Sequence, residues 1–272
     1  MILSSSHFDS KRPYWQDYLP FLHQLEGQSL PSCAILNALL RKGLKSAGGH
    51  AIQFVDSELL GDGAYENRIF TSGRVSTRKD NWHDLFNALV WMRFPRIKTA
   101  INSLHYRESE KRSNGQRGRL RDALTLFDEC GVIVFSNRLV LLRALAQRHW
   151  SEAFLADDFS ESVGLSINGH AMLEKYLSPY KAMTAKALLV HADAGFMRLP
   201  RQEALERLDL VLSRAMLDGR VLTRPSDLSP LPLAGVPGWW PQDEQSQSHF
   251  YADLQVFRPP PKTFSAAPIL SL

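Results

Sequence analysis

The stretch Asn81–Pro95, NWHDLFNALVWMRFP, decides the fold class, because from Leu85 to Met92 it is apolar on every side except at Asn87. A helix that is apolar all round belongs in a protein interior, not on its surface. Asn87 must then find partners for its amide, since a buried amide left unsatisfied costs about 1–3 kcal/mol. His83 lies four residues earlier, one helical turn away on the same face. Asp80 or Asn81 can cap the helix, and Asp84 beside His83 equally suits the positive end of the helix dipole.

Working outward, Pro95 interrupts this helix and a second follows over about 96–110, because the residue before a proline is pushed out of the helical region. The polar SEKRSNGQRG, with Asn-Gly as its turn signal, leads into RGRLRDALTLFDECG, a helix ending near Gly131. VIVF is a short buried strand, and NRLVLLRALAQRHW is a further helix with Asn137 as a cap. On the N-terminal side, YWQDYLPFLHQL and PSCAILNALLRKGL read as helices, the second capped by Ser32 and closing near Gly43. AIQFVD and NRIFTSGRV have the aromatic and β-branched content of strands. Beyond, VGLSI is a strand and NGHAMLEKYL a helix, while AKALLVHAD fits either state. Residues 200–217 repeat apolar side chains at helical spacing, with Glu203 four before Arg207, as in a surface helix with one buried stripe.

After Gly219 prolines become dense, in RPSDLSPLPLAGVPGWWPQ and again in VFRPPP. Such density rules out helix and sheet interior, but the intervening Leu, Val and Trp residues argue against a solvated linker. The expectation is an α+β fold: a mostly helical single domain with a small mixed sheet. Residues 1–219 would form the main body, and residues 220–272 a Pro-rich C-terminal segment wrapped over it and not folding independently. Docking of that segment into a partner's aromatic groove is the alternative.

The chain has 272 residues, 44% of them hydrophobic and 22% charged, which excludes wholesale disorder and fibrous architectures. No run approaches the roughly 18 uninterrupted apolar residues of a membrane span, and the opening MILSSSHFDSKRPYW lacks the order of a secretory signal. A cytoplasmic protein that does not enter a membrane is expected. Cys33 and Cys130 form no CxxC pattern, so reduced thiols are expected and a structural zinc knuckle is excluded. The net charge is +4, yet residues 93–121 hold nine basic residues against two acids, leaving −3 for the remainder. Local charge of this kind attracts anions or nucleic acid, although a solvated charged face is the ordinary alternative.

Several helices carry a polar row beside their apolar stripe. Lys98, Asn102 and His105 share one face, Asp122, Thr125 and Glu129 another, and His170 and Glu174 are one turn apart. Converging His and carboxylate groups are what a metal site borne on helices requires, and they equally suit general acid–base chemistry. His83, His170, Asp122 and Glu129 are the candidate catalytic groups, with His83, His170 and Glu174 as candidate ligands of a divalent metal. Taken singly, each is as well explained as a satisfied core polar residue. Arg117, Arg119 and Arg121 are candidates for holding an anionic, phosphate-bearing substrate, with Asn87 and His105 as further binding residues. The pair His83-Asp84 invites comparison with HD-type phosphohydrolases, for which His50 and Asp128 would have to complete the set, but a two-letter match carries little weight. No GxGxxG or GxxxxGK[ST] is present, which disfavours the standard nucleotide sites.

The segments TRKDNWHDLFNALVWMRFPRIKTAINSLH, RDALTLFDECG, GHAMLEKYLSPY and LPLAGVPGWW…FYADLQVFRPPP resemble a bacterial family known as a domain of unknown function, the one numbered three-zero-two-five. The similarity spans about residues 50–260 and rests chiefly on the first segment. It implies a bacterial, cytosolic origin and assigns no site residue. Three functions follow from the residues themselves: an enzyme with a His/carboxylate pocket, a nucleic-acid-binding protein using residues 93–121, or a scaffold docking partners through its tail.

Overall fold

Asn81 caps the buried helix as its composition requires, its Oδ1 accepting from the backbone N–H of Asp84 at 3.0 Å. Every residue from Asp84 to Trp91 is buried. The computed structural model describes residues 8–27, 30, 32–61, 63–111, 118–247 and 249–272. Helices α1 (Leu19–Leu25) and α2 (Cys33–Leu39) come first, followed by β1 (Gln53–Asp56), α3 (Tyr65–Ser72) and β2 (Arg74–Thr77). The buried helix is α4 (Trp82–Arg93), and α5 (Pro95–Lys111), α6 (Arg119–Cys130) and β3 (Gly131–Ser136) follow it. Then come α7 (Leu139–Gln147), α8 (Trp150–Phe154), α9 (Phe159–Ser162), β4 (Val163–Ile167), α10 (His170–Lys175) and β5 (Thr184–His191). The chain closes with α11 (Ala194–Met197), α12 (Arg201–Leu217), β6 (Ser229–Pro232), α13 (Gln242–Gln245) and β7 (Ile269–Ser271).

The result is an α+β domain with two small sheets. In the larger, mixed sheet the order is β4-β3-β5-β6, with β7 also pairing with β5. β3 runs parallel to β5 and antiparallel to β4, and all six of its residues are buried. AKALLVHAD thus resolves as strand. β6 carries Pro230 and Pro232 at the sheet edge, where a missing donor is tolerated.

The smaller sheet is a parallel pair, β1 with β2. A parallel pair needs a crossover, and α3 supplies it. NRIFTSGRV was expected to be a strand, but only its end is one. Ile69 is buried and Phe70 stacks on Tyr106 at 3.8 Å, so packing outweighs the β-propensity of these side chains. Gly73, at φ 72°, then turns the chain out of α3 into β2.

Three local expectations change. The first N-terminal helix is split into a single 3-10 turn (Pro13–Trp15) and α1. Ser32 precedes α2 without a side-chain capping bond, and α2 stops at Leu39, short of Gly43. Asn137 does not cap α7; the N-cap position falls at Arg138, whose N–H is taken by Ser136 Oγ at 2.9 Å.

Beyond residue 220 the chain lies against the rest of the protein. Val221, Leu228, Leu231, Leu233, Val236, Phe250, Val256 and Phe257 are buried. Trp239 is 6% exposed, its ring set against Tyr14 and Tyr176 with centroids 5.8 and 6.0 Å away. Cys33 and Cys130 are free and half-buried. No helix among the described residues is long and apolar enough to cross a membrane.

Candidate metal centre

Three helix ends meet at one point. α4 contributes His83 from its first turn, α6 contributes Asp128 and Glu129 from its last, and α10 begins at His170. The approach of α6 to α10 depends on Gly169: a Cβ there would sit 2.3 Å from the Gly131 nitrogen and 2.6 Å from the Glu129 carbonyl oxygen. The bare backbone instead lets Gly169 N–H donate to Gly131 O at 2.9 Å, which fixes His170 beside Glu129.

His83 Nε2 and His170 Nε2 are 3.0 Å apart, and Glu129 Oε2 lies 3.5 Å from the latter and 3.9 Å from the former. Ligand atoms at about 2.1 Å from a tetrahedral ion stand about 3.4 Å apart. The three observed separations bracket that value. The far side of each ring faces a carboxylate. His83 Nδ1 bonds Glu174 Oε2 at 2.9 Å, and His170 Nδ1 is 3.7 Å from Asp128 Oδ2. The Glu174 carboxylate on His83 Nδ1 keeps the proton there and turns that ring's Nε2 lone pair toward the common point, whereas His170 Nδ1 is buried near Asp128 without a hydrogen bond among the described residues.

Around this cluster runs a polar network. Lys98 is buried on α5, its Nζ donating to Asp128 Oδ1 at 2.6 Å and to Asn87 Oδ1 at 2.9 Å. Asn87 Nδ2 donates to Tyr65 Oη at 2.9 Å, so the amide in the apolar helix is satisfied at both ends, as its burial demanded. Asn102 Nδ2 donates to Glu66 Oε2 at 2.6 Å. Arg78, in the turn before α4, binds Asp84 through Nε at 2.9 Å and Nη2 at 2.8 Å.

Burial holds the His170 imidazole down to about 4, with the charge of Lys98 adding to the effect against the pull of Asp128. His170 is therefore a neutral donor at physiological pH. Burial raises the Glu129 carboxyl, and Asp128 next to it raises it further. Burial would also raise Asp128, but Lys98 and then His170 outweigh it and hold that carboxyl below its ordinary value. Asp84 is paired with Arg78 and Asp128 with Lys98. Among the described residues Glu129 pairs with the two histidines and with no lysine or arginine, so the cluster has room for a cation.

His83, Glu129 and His170 all line a cavity of about 490 Å³, together with Asn87, His105, Arg121, Thr125 and Asp128. Asp122 does not line it; the α6 residues on the wall are Arg121, Thr125, Asp128 and Glu129, a face turned slightly from the one expected. Glu174 reaches the cluster from outside, through His83. Arg119 is exposed and away from the cavity, and Arg117 lies outside the described residues. The HD-type comparison has no support: His50 is exposed and does not line the cavity, Asp84 is paired with Arg78, and Asp128 is bound to Lys98.

Nor do Arg93, Arg96 and Lys98, among the described residues of 93–121, present one basic surface. Arg93 is buried over the Phe21 ring and donates to Gln202, Lys98 is buried, and Arg96 pairs with Asp209 on α12. Charges spaced irregularly along a helix point to different neighbours, not to one face. Glu66 and Arg78 gained importance only in three dimensions, and Asp128 gained there a role other than the one weighed for it in the HD-type comparison. For Asp128 a signal existed: a lysine beside an apolar stripe implies a carboxylate buried with it.

A family model described as "Protein of unknown function (DUF3025)" matches residues 52–260. No curated protein and no solved structure matches the chain.

Proposed function

The chain belongs to the DUF3025 family, and we propose that it is a metal-dependent enzyme in which His83, Glu129 and His170 bind one divalent transition-metal ion at the wall of the cavity. The observation that carries this is the triangle of three donor atoms, 3.0, 3.5 and 3.9 Å on its sides, contributed by three different helices, with Glu174 bonded behind His83 and Asp128 beside His170. Structural sites close the coordination shell with protein ligands, whereas catalytic sites use three and leave a position for water or substrate. Three donors facing a cavity fit the second kind. The ion would lower the pKa of a bound water and polarise the bond under attack, which makes metal-assisted hydrolysis the favoured reaction class. The substrate would be anionic, drawn by Arg121 on the same wall. Nucleic-acid binding has less support, because Arg93 and Lys98 are buried. A scaffold acting through its tail has less support as well, because Trp239 and its apolar neighbours are already covered.

Elemental analysis of the purified protein tests the proposal. Close to one equivalent of a first-row divalent metal is expected in the wild type, and loss of it in His83→Ala and Glu129→Gln. Ligand at 100 times its Kd stabilises a fold by about 2.7 kcal/mol, so zinc, manganese or iron(II) added to stripped protein should raise its Tm. Absence of bound metal, with no Tm response to any of the three, would overturn the assignment.

A further inference from the structure

Two arginines, Arg78 and Arg121, line the cavity, and Lys98 is buried behind its wall. Arg78 grips Asp84 through two hydrogen bonds, and Lys98 is bound to Asp128. Arg121 differs. Among the described residues it forms no ion pair, and its Nε is buried with no acceptor. Glu66 feels its charge without bonding it, and Oε2 of that carboxylate accepts from Asn102 at 2.6 Å. A buried guanidinium donor without an acceptor is costly, and it is the group best suited to hold a carboxylate or phosphate through two parallel bonds.

Its position relative to the metal ligands sets a length. Arg121 and Glu129 line the same wall from the same helix, with Thr125 between them. Eight residues at 1.5 Å each place their backbones about 12 Å apart along α6. A cavity of about 490 Å³ is the size that small-molecule substrates occupy.

Building on the metal site proposed above, we infer that the substrate is two-ended. One end carries the bond presented to the ion, and the other carries an anionic group, carboxylate or phosphate, held by Arg121 on the order of 10 Å away. The enzyme then selects for the span between the ends, and small anions alone bind weakly at either position.

Calorimetry on the metal-loaded full chain tests this with straight-chain probes bearing a hydroxamate at one end, to take the metal, and a carboxylate at the other. Affinity should pass through a maximum as the spacer lengthens, and exceed that of acetohydroxamate. Arg121→Ala and Arg121→Gln should weaken the best probe about 10- to 150-fold, the range that charge-assisted hydrogen bonds represent. Metal content and acetohydroxamate affinity should stay unchanged, which also shows that the variants fold. Arg121→Lys should recover part of the loss. Replacing the terminal carboxylate by a phosphonate identifies which anion is preferred. A wild type that binds no long probe better than acetohydroxamate, or an Arg121→Ala that binds all probes equally well, overturns the inference while leaving the metal site intact. If no metal loads, the two-ended substrate falls with the metal site. Inorganic phosphate titrated into the stripped protein then decides the remainder: binding lost in Arg121→Ala upholds the anion subsite, and its absence in the wild type removes it.

Discussion

Lowering the pH from 7 to 4 should weaken the metal-free protein through His170 in particular. An imidazole ionises near pH 6.5 in the unfolded chain, and burial with Lys98 close by holds that of folded His170 at about 4. Above pH 6.5 both states are neutral and nothing is lost. Between 6.5 and 4 the unfolded chain binds a proton that folded His170 refuses, so stability falls with pH, and below 4 the loss is complete. At 1.36 kcal/mol per tenfold change in proton affinity, the full loss is about 3 kcal/mol. Other groups titrate over this range too, so the measurement is a difference. Urea unfolding of wild type and His170→Asn, both in chelator, should give free energies that converge by about 3 kcal/mol as the pH drops from 7 to 4. The asparagine gives a constant offset from its lost contacts but no proton linkage. Parallel curves over that interval would refute the claim that His170 is kept neutral by its burial. That neutrality matters for function, because only the unprotonated ring can bind a metal.

Three further outcomes follow from individual contacts. Lys98→Met leaves the Asp128 carboxylate buried without its cation and should cost about 3–5 kcal/mol in urea unfolding, much of it recovered in the Lys98→Met/Asp128→Asn double variant. Glu174→Gln removes the carboxylate that orients His83 at 2.9 Å and should lower metal affinity by about 10- to 100-fold in competition with a chelator, with little change in Tm of the stripped protein. Trp239→Ala opens a cavity against Tyr14 and Tyr176 and should cost about 3–5 kcal/mol. We expect residues 220–272 to unfold together with the rest, so the Trp239 variant should show a single urea transition; a separate early transition of the tail would mark it as an independent unit.

Much of the framework was legible in the chain because it depends on neighbours in sequence. Asn81–Pro95 announced a buried helix by its composition alone, and the need of Asn87 for partners followed from that burial. The identities of those partners, Lys98 and Tyr65, did not follow. β-branched and aromatic content misled over residues 67–72, where two short parallel strands needed a crossover and tertiary packing chose helix.

The limits of spacing are clearest at the metal centre. Helical periodicity places His170 and Glu174 on one face, yet Glu174 bonds His83, 91 residues earlier, and His170 meets the same ring from the other side. Asp122 and Glu129 share a row on α6, but the helix is rotated so that Asp128 and Arg121 face the cavity with Glu129. Local sequence determines which side chains lie along one side of a helix, since that is a property of backbone geometry. Which side meets which, across 87 to 91 residues, is decided only by how the apolar faces of α4, α6 and α10 pack, and by the close backbone approach that glycine permits at position 169.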